Sequence, residues 1–153
     1  MNKFIVLLII MAISGAAYSA YLLIPAKHYL EPTVVTKVID GDTVVVEGGQ
    51  RIRLLNIDTR ERGENCYAEA KKRMEELVLL KNVMLERDKE DKDRYDRLLR
   101  YIYVGNMSVN IEMVREGLAI VYIYEPNVKY RSEFIAAEQE GKTAGGCVWV
   151  KKP

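Results

Sequence analysis

Four charged side chains, Asp42, Arg53, Asp58 and Glu61, lie close together in the sequence. The two aspartates flank two short runs rich in β-branched residues, and a pair of glycines separates those runs. This pattern predicts a β-hairpin that brings the two carboxylates to one rim. Carboxylates that face each other repel unless a hard cation or a shared proton lies between them. The sequence therefore predicts a divalent metal site, with Arg53 and Glu61 beside it.

Other residue types restrict the chemistry further. The one histidine, His28, precedes the predicted strands, so acid or base work must come from carboxylates, arginines, tyrosines or a metal. Two cysteines, Cys66 and Cys147, are too few for a zinc cluster. They either form a disulfide or remain two independent buried thiols. A disulfide would tie the start of the first predicted helix to the C-terminal tail and stabilise the fold by about 2–4 kcal/mol.

The first part of the chain differs in composition from the rest. Residues 4–26 carry no charge and are long enough to cross a bilayer, and a lysine flanks them on each side. They are either a secretory signal peptide or a membrane anchor. The apolar run resumes after a stretch of small residues, which favours a retained anchor. Residues 27–32 then form a linker, and in both cases the remainder is expected to be extracytoplasmic, anchored or secreted.

The remainder of the chain has the size of one domain. Beyond residue 31 the basic and acidic side chains are equal in number. Composition therefore gives no sign of a nucleic-acid partner, and a site for a polyanion must be a local patch built by the fold.

Hydrophobic periodicity predicts a β-rich α+β domain. Stretches rich in β-branched residues predict five strands, over residues 33–39, 43–47, 51–57, 83–87 and 97–104. Helical periodicity and end signals predict three helices, over residues 66–80, 108–117 and 128–140. Short strands in this number favour a five-stranded OB-type β-barrel with three helices, preceded by the N-terminal hydrophobic segment.

Five segments in a fixed order resemble a known family. They are VIDGDT at 38–43, RLLNIDTRE at 53–61, DRYDR at 93–97, YIY at 101–103 and VREGLA at 114–119. Together they resemble the staphylococcal nuclease (thermonuclease) family, from about residue 33 to residue 149. The resemblance implies that residues 33–153 form an OB-fold nuclease domain with calcium-dependent phosphodiesterase activity.

The resemblance also implies roles for single residues. Asp42 and Asp58 match the calcium-binding carboxylates, and Thr59 matches a residue that contributes its backbone carbonyl. Glu61 stands where the family has the glutamate that orients or deprotonates the attacking water. Ca²⁺ is therefore the expected cofactor, and oxygen ligands suit it.

A second set of residues matches the substrate-binding side of the family. Arg53 and Arg97 match the arginines that hold the phosphate, and two guanidiniums suit the charge on a phosphodiester. Tyr95, Tyr122 and Tyr124 match tyrosines that line the nucleotide pocket. Stacking on tyrosines would fit single-stranded or frayed substrate.

The chain is therefore expected to be a monomeric nuclease of DNA, with RNA as a further substrate, that leaves 3′-phosphates and is tethered through residues 4–26 unless these are cleaved. Two alternatives remain: a non-catalytic OB-fold module that binds nucleic acid or protein, and a purely structural domain. The chain departs from the family pattern at Arg60, where proline is usual, and at Asp96, where glycine is usual. Asp96 is expected either to pair with Arg97 or to weaken phosphate binding. The loop after Glu61 is also shorter.

Overall fold

The structure is a computed structural model, and it describes residues 30–150. The strands are β1 Leu30–Val38, β2 Thr43–Val46, β3 Arg51–Leu54, β4 Ile57–Asp58, β5 Asn82–Glu86, β6 Leu98–Val104, β7 Met107–Ser108 and β8 Ile120–Val121. The helices are α1 Tyr67–Val78, α2 Val109–Arg115 and α3 Arg131–Thr143.

Five of these strands close into a mixed β-barrel. β1 pairs antiparallel with β2 and with β5, β2 pairs with β3, and β5 pairs with β6. Parallel pairing of β3 with β6 completes the barrel, and β7 extends β6 as a hairpin. The short strands β4 and β8 form a separate pair. The predicted five-stranded OB-type barrel with three helices is confirmed.

The core lies inside the barrel and beneath α1. The four residues of α1 that are buried are Ala70, Met74, Leu77 and Val78. They recur at helical spacing, so one stripe of the helix packs against the sheet while its charged face remains in solvent. The same spacing of apolar residues predicts this helix from the sequence.

Several predicted elements have different bounds from those observed. The strand predicted over residues 51–57 is interrupted, because Asn56 has a φ of 63° and β4 then leaves the barrel to pair with β8. Asparagine adopts this left-handed conformation more readily than most residues. One asparagine within a run of strand-forming residues does not by itself predict a break, however. The last helix begins at Arg131 and continues past Gly141, the residue predicted to end it.

Gly141 stays inside α3 because α2 packs directly against it. A Cβ atom at Gly141 would lie 2.5 Å from the carbonyl oxygen of Val114. Gly117, just after α2, is packed just as closely: a Cβ there would lie 2.5 Å from the Cα of Gly146, which follows α3. These glycines allow the ends of the two helices to touch backbone to backbone, which fixes the course of the chain after α3.

The chain after α3 is joined to α1 by a disulfide. Cys66 and Cys147 are bonded, with their Cα atoms 5.7 Å apart. Of the two alternatives left by the sequence, the disulfide is therefore the one that the structure contains.

No helix among residues 30–150 is both long enough and apolar enough to span a bilayer. The predicted signal or anchor, residues 4–26, lies outside the described residues, as does the first half of the predicted linker. β1 begins at Leu30, three residues before the predicted strand, and its first five residues pair with β5.

A buried carboxylate joins β5 to the start of α3. Glu86 is 2% exposed and accepts hydrogen bonds from the hydroxyls of Tyr103 at 2.8 Å and Tyr130 at 2.7 Å, and it pairs with Lys129. Burial alone would raise its pKa, but the hydrogen bonds from Lys129 and the two tyrosines outweigh burial and lower the pKa. The ionised form therefore stabilises the fold.

We predict that Gly141→Ala destabilises the protein by about 2 kcal/mol or more, because the new methyl group meets a backbone carbonyl that cannot rotate away. The higher helix propensity of alanine, worth about 1 kcal/mol, offsets only part of this cost. Gln139→Ala, on the exposed face of the same helix, is the control and should change stability by less than about 0.5 kcal/mol. Urea unfolding measures both, and equal stability of the two variants would contradict the packing argument.

We predict that Glu86→Gln lowers the free energy of unfolding at pH 7 by about 1–3 kcal/mol. The lowered pKa means that the contribution of Glu86 is present above its ordinary value of 4.5 and is lost as the pH falls below it. The difference between variant and wild type should therefore shrink between pH 5 and pH 3. Urea unfolding across this range tests it, with the exposed Glu47→Gln as control; a difference independent of pH would argue against the assignment.

Candidate active site

The β2–β3 hairpin places Arg53 between two carboxylates. Its Nε lies 3.3 Å from Asp42 Oδ1, and its Nη2 donates to Asp58 Oδ1 at 3.0 Å. Its Nη1 donates to the carbonyls of Leu54 and Ile57, both at 2.8 Å. The structure thus brings together three of the predicted site residues, and every nitrogen of this guanidinium is directed at an acceptor.

Asp42 is held in place by its neighbours in the fold. Its Oδ1 accepts from the hydroxyl of Thr43 at 2.9 Å, and its Oδ2 accepts from the backbone N–H and the hydroxyl of Thr59 at 3.0 and 3.1 Å. This contact requires the glycine before it, because a Cβ at Gly41 would lie 2.8 Å from Thr59 Cγ2. The DGD segment therefore positions a carboxylate that is only 7% exposed.

A third aspartate belongs to the same cluster. Asp40 Oδ1 accepts from the backbone N–H of Asp42 at 3.1 Å. Burial, and then the charge of Asp42, raise the pKa of Asp40. Burial also raises the pKa of Asp58; Arg53 opposes this, while the charges of Asp42 and Glu61 add to it. The cluster therefore holds more negative charge than its one arginine offsets.

The donor set at this cluster fits calcium by its chemistry. Asp42 and Asp58 would supply carboxylate oxygens and Thr59 a backbone carbonyl to such an ion, and calcium takes oxygen ligands in irregular geometry. Burial is the main reason that the pKa values of Asp40 and Asp58 are raised, and the like charge of Asp42 adds to it; a bound cation would offset that repulsion. Within residues 30–150 no three His, Cys, Asp or Glu side chains form a metal-binding group. An ion would therefore need ligands from water, backbone or substrate as well.

Glu61 lies in the exposed loop after β4. Its backbone N–H donates to Glu64 Oε2 at 2.8 Å, and its carbonyl accepts from the Glu64 N–H at 3.0 Å. Together with Asp58 and Thr59 it lines a small cleft of about 80 Å³. Glu61 is therefore on the acidic side of the site, close enough to Asp58 for its charge to raise the pKa of that carboxyl.

Arg97 reaches the site from just before β6. Its Nε donates to Asp93 Oδ2 at 2.6 Å, and its Nη1 lies 3.5 Å from the hydroxyl of Thr43. That hydroxyl in turn donates to Asp42, so Thr43 links the second arginine to the acidic cluster. Burial opposes ionisation of Asp93, but hydrogen bonds from the backbone and side chain of Arg97 and from the backbone of Tyr95 lower its pKa.

The two arginines and the three predicted tyrosines line one cleft. The cleft has a volume of about 410 Å³. Tyr95 and Tyr122 are 64% and 58% exposed, and the guanidinium carbon of Arg94 lies 4.8 Å from the ring centre of Tyr95. The guanidinium carbon of Arg97 lies 5.5 Å from the ring centre of Tyr95, and the rings of Tyr122 and Tyr124 are 6.0 Å apart. Arg53 borders both this cleft and the acidic cluster.

Sequence reasoning gave no role to several residues that hold the site. Thr43 and Asp93 position the arginines, and Asp40 adds a third carboxylate. All three lie in the segments that resemble the family, and that resemblance is the sequence signal that could have identified them. Asn56, 1% exposed, borders the large cleft, where its Nδ2 donates to Tyr101 Oη at 2.8 Å and its carbonyl accepts from the Tyr122 N–H at 3.0 Å. It therefore fixes the backbone of one of the tyrosines.

The structure shows the contacts of the two residues that depart from the family pattern. Asp96 has a φ of 62°, a conformation in which glycine is usual, and its side chain pairs with Lys92 at 2.7 Å. Of the two alternatives given for Asp96, pairing with Arg97 is not the one observed: Asp96 pairs with Lys92, and Arg97 donates to Asp93. Arg60, where proline is usual in the family, directs its Nη2 to the carbonyl of Val148 at 3.5 Å.

Comparison with known proteins agrees with this geometry. The family model described as "Staphylococcal nuclease homologue" matches residues 51–151. An endonuclease YncB of Bacillus subtilis is 43% identical over 126 residues, which cover 75% of this chain and 60% of that protein. A thermonuclease of Staphylococcus intermedius is 35% identical over 130 residues, 79% of this chain and 77% of that protein.

A further relative is longer. The prophage-derived endonuclease YokF of Bacillus subtilis is 41% identical over 133 residues, which cover 80% of this chain and 45% of that protein. The match thus spans 60% of the length of one of these two Bacillus relatives and 45% of the other. A family model that covers most of this chain, together with these identities, leads to one conclusion: the chain belongs to the staphylococcal nuclease family.

Proposed function

We propose that this protein is a calcium-dependent nuclease that hydrolyses phosphodiester bonds of DNA, and of RNA as a further substrate, leaving 3′-phosphates. The observation that carries the proposal is the position of Arg53, which borders the tyrosine-lined cleft while it contacts both Asp42 and Asp58. A phosphodiester bound at this arginine would lie between the cleft and the carboxylates.

Arg53 and Arg97 are the groups that bind the phosphate. Guanidinium N–H groups donate charge-assisted hydrogen bonds to phosphate oxygens, and the charge on those oxygens increases as the nucleophile attacks. Arg53 already donates to protein acceptors through both Nη atoms, so it would contribute its remaining N–H and its charge. Asp93 orients Arg97 through its Nε at 2.6 Å and leaves the Nη groups to donate elsewhere. Both arginines therefore act most strongly in the transition state.

The carboxylates have two proposed roles, metal binding and proton acceptance. Calcium, held by Asp42, Asp58 and the carbonyl of Thr59, would supply Lewis-acid polarisation of the phosphate. Glu61 accepts a proton from the attacking water at its carboxylate oxygens. The domain has no histidine that could do so, and the exposed loop leaves this side chain open to solvent.

The tyrosines select the form of the substrate. Exposed rings at Tyr95 and Tyr122, with Tyr124 beside them, offer faces on which unpaired bases stack. A base inside a duplex is already stacked on its neighbours, so single-stranded or frayed ends are the preferred substrate.

The location and assembly of the protein are part of the same proposal. A disulfide is typical of proteins outside the cytoplasm, and the apolar residues 4–26 provide a signal or an anchor. We therefore place the domain extracytoplasmically, as a monomer. The alternative of a non-catalytic OB-fold binding module is disfavoured, because the acidic cluster and both arginines converge on one site.

We predict that the purified full chain cleaves single-stranded DNA with calcium and loses this activity with a chelator. Glu61→Gln should lower kcat by about 10²–10⁴-fold, because it removes the proton acceptor. Arg97→Ala should lower it by about 10²–10³-fold, because it removes a donor to the charged phosphate. Gel-based cleavage and circular dichroism measure activity and fold.

Matched controls for these variants are Glu133→Gln and Arg131→Ala, at exposed positions on α3. Both should stay within about two-fold of wild type, as is usual for surface substitutions. Unchanged turnover in either active-site variant would reject the assignment of that residue. A gel shift without cleavage would favour the binding module, and neither shift nor cleavage would favour a purely structural domain.

We predict opposite outcomes at the two aspartates near Arg97. Asp96→Gly should leave kcat within about two-fold and slightly stabilise the fold, because glycine adopts the left-handed conformation without strain. Asp93→Ala should raise KM and lower kcat by about ten-fold or more, because Arg97 loses the carboxylate that orients it. Steady-state kinetics on single-stranded DNA compare the two, and a larger loss in Asp96→Gly would show that the wrong aspartate had been assigned.

A further inference from the structure

The loop that carries Glu61 spans residues 59–66 and is fixed at its two ends. At one end Thr59 donates twice to Asp42. At the other end Cys66 is 2% exposed, has a φ of 73° and is bonded to Cys147. The loop therefore runs from the acidic cluster to the disulfide.

Between these ends the loop has few contacts with the rest of the domain. Residues 60–65 are all exposed, and the hydrogen bonds between Glu61 and Glu64 are internal to the loop. Among the described residues, the one hydrogen bond from this stretch to another part of the chain is that of Arg60 with the carbonyl of Val148, at 3.5 Å. Constraint on Glu61 thus comes mainly from the loop ends and from the segment next to Cys147.

That segment, residues 145–150, is itself held firmly. The Val148 N–H donates to the Gly117 carbonyl at 3.0 Å, and the Gly146 N–H donates to the Gly141 carbonyl at 3.0 Å. A Cβ at Gly146 would lie 2.4 Å from the Cα of Gly117, so the backbones are in contact. The segment is therefore a fixed support.

Val148 extends this support to the loop. Its side chain, 8% exposed, borders the same small cleft as Asp58 and Glu61. The disulfide thus connects the loop to a support in which Val148, the residue after Cys147, already borders the acidic part of the site.

We propose that the Cys66–Cys147 disulfide is a positioning element for Glu61, so that turnover depends on the oxidation state of this pair. The inference rests on the proposed nuclease function. Without the disulfide, the hydrogen bonds of Thr59 to Asp42 still hold the first end of the loop, but the covalent bond at Cys66 is lost. Glu61 then spends less time where it can accept the proton from water. Errors of about 1 Å in such a group lower rates by up to about 10²-fold.

The effect should be confined to turnover. Arg53, Arg97 and the tyrosines line the other cleft and are held by contacts that do not include the loop. Loss of the disulfide should therefore lower kcat by about 5–50-fold and change KM by less than about two-fold. A merely structural role would instead affect stability and leave the folded enzyme fully active.

The first arm of the test compares wild type with the double variant Cys66→Ala/Cys147→Ala, at a temperature well below both melting points. Dithiothreitol provides the matched chemical arm: its two thiols close into a cyclic disulfide while the protein disulfide becomes two thiols. Reduction should lower kcat of the wild type to that of the double variant and leave the double variant unchanged. Val83→Ala, a buried change in β5, controls for lost stability alone and should retain kcat.

The second arm asks whether the disulfide acts through Glu61. In the Glu61→Gln background the two cysteine substitutions should cause no further loss of kcat, because the group they position is already absent. Amide hydrogen exchange gives a readout independent of activity: residues 61–64 should exchange faster without the disulfide, while α3 should be unaffected.

The outcomes separate the two proposals. A wild-type chain that cleaves nothing with calcium overturns both. If wild type cleaves, an unchanged kcat in the double variant overturns the positioning role alone, as does an equal further loss of kcat in the Glu61→Gln background. A fall in kcat that the Glu61→Gln background abolishes, together with faster exchange of the loop, supports it.

Discussion

The contact of Arg53 with Asp42 and Asp58 is the interaction on which the site depends. Two carboxylates drawn together by the fold repel each other, and burial increases the cost. The guanidinium between them, with 15% of its side chain exposed, offsets part of that cost and at the same time borders the tyrosine-lined cleft. One side chain therefore lies against two members of the acidic cluster and joins that cluster to the tyrosine-lined cleft.

The closed barrel brings the second arginine, Arg97, to the same site. Pairing of β2 with β3 sets Thr43 opposite Arg53, and parallel pairing of β3 with β6 sets Arg53 opposite Leu99. Arg97 lies two residues before Leu99, so it reaches the hydroxyl of Thr43 from the other side. An open sheet lacking the β3–β6 pair would leave the two arginines on different edges. Barrel closure therefore places both arginines on the same cleft.

This dependence explains what the sequence could predict. Strand composition and the helical stripe of α1 are local signals, and they predicted the barrel and the packed face of α1. The segment resemblance supplied the arginines and carboxylates as a set. The break at Asn56, the pairing of Asp93 rather than Asp96 with Arg97, and the contact of Arg60 with Val148 depend on which strands and helices meet. No local pattern encodes such pairings, so the sequence left them open.

The charge balance of the domain bears on how it recognises a polyanion. With equal numbers of acidic and basic side chains beyond residue 31, long-range attraction to DNA is weak. The acidic cluster beside Arg53 and Arg97 would reduce it further. Under the proposed function, affinity then arises at short range, from two guanidiniums on one phosphate and from stacking on exposed tyrosines. Since stacking needs unpaired bases, the same charge balance that weakens general binding to duplexes favours selection of single strands.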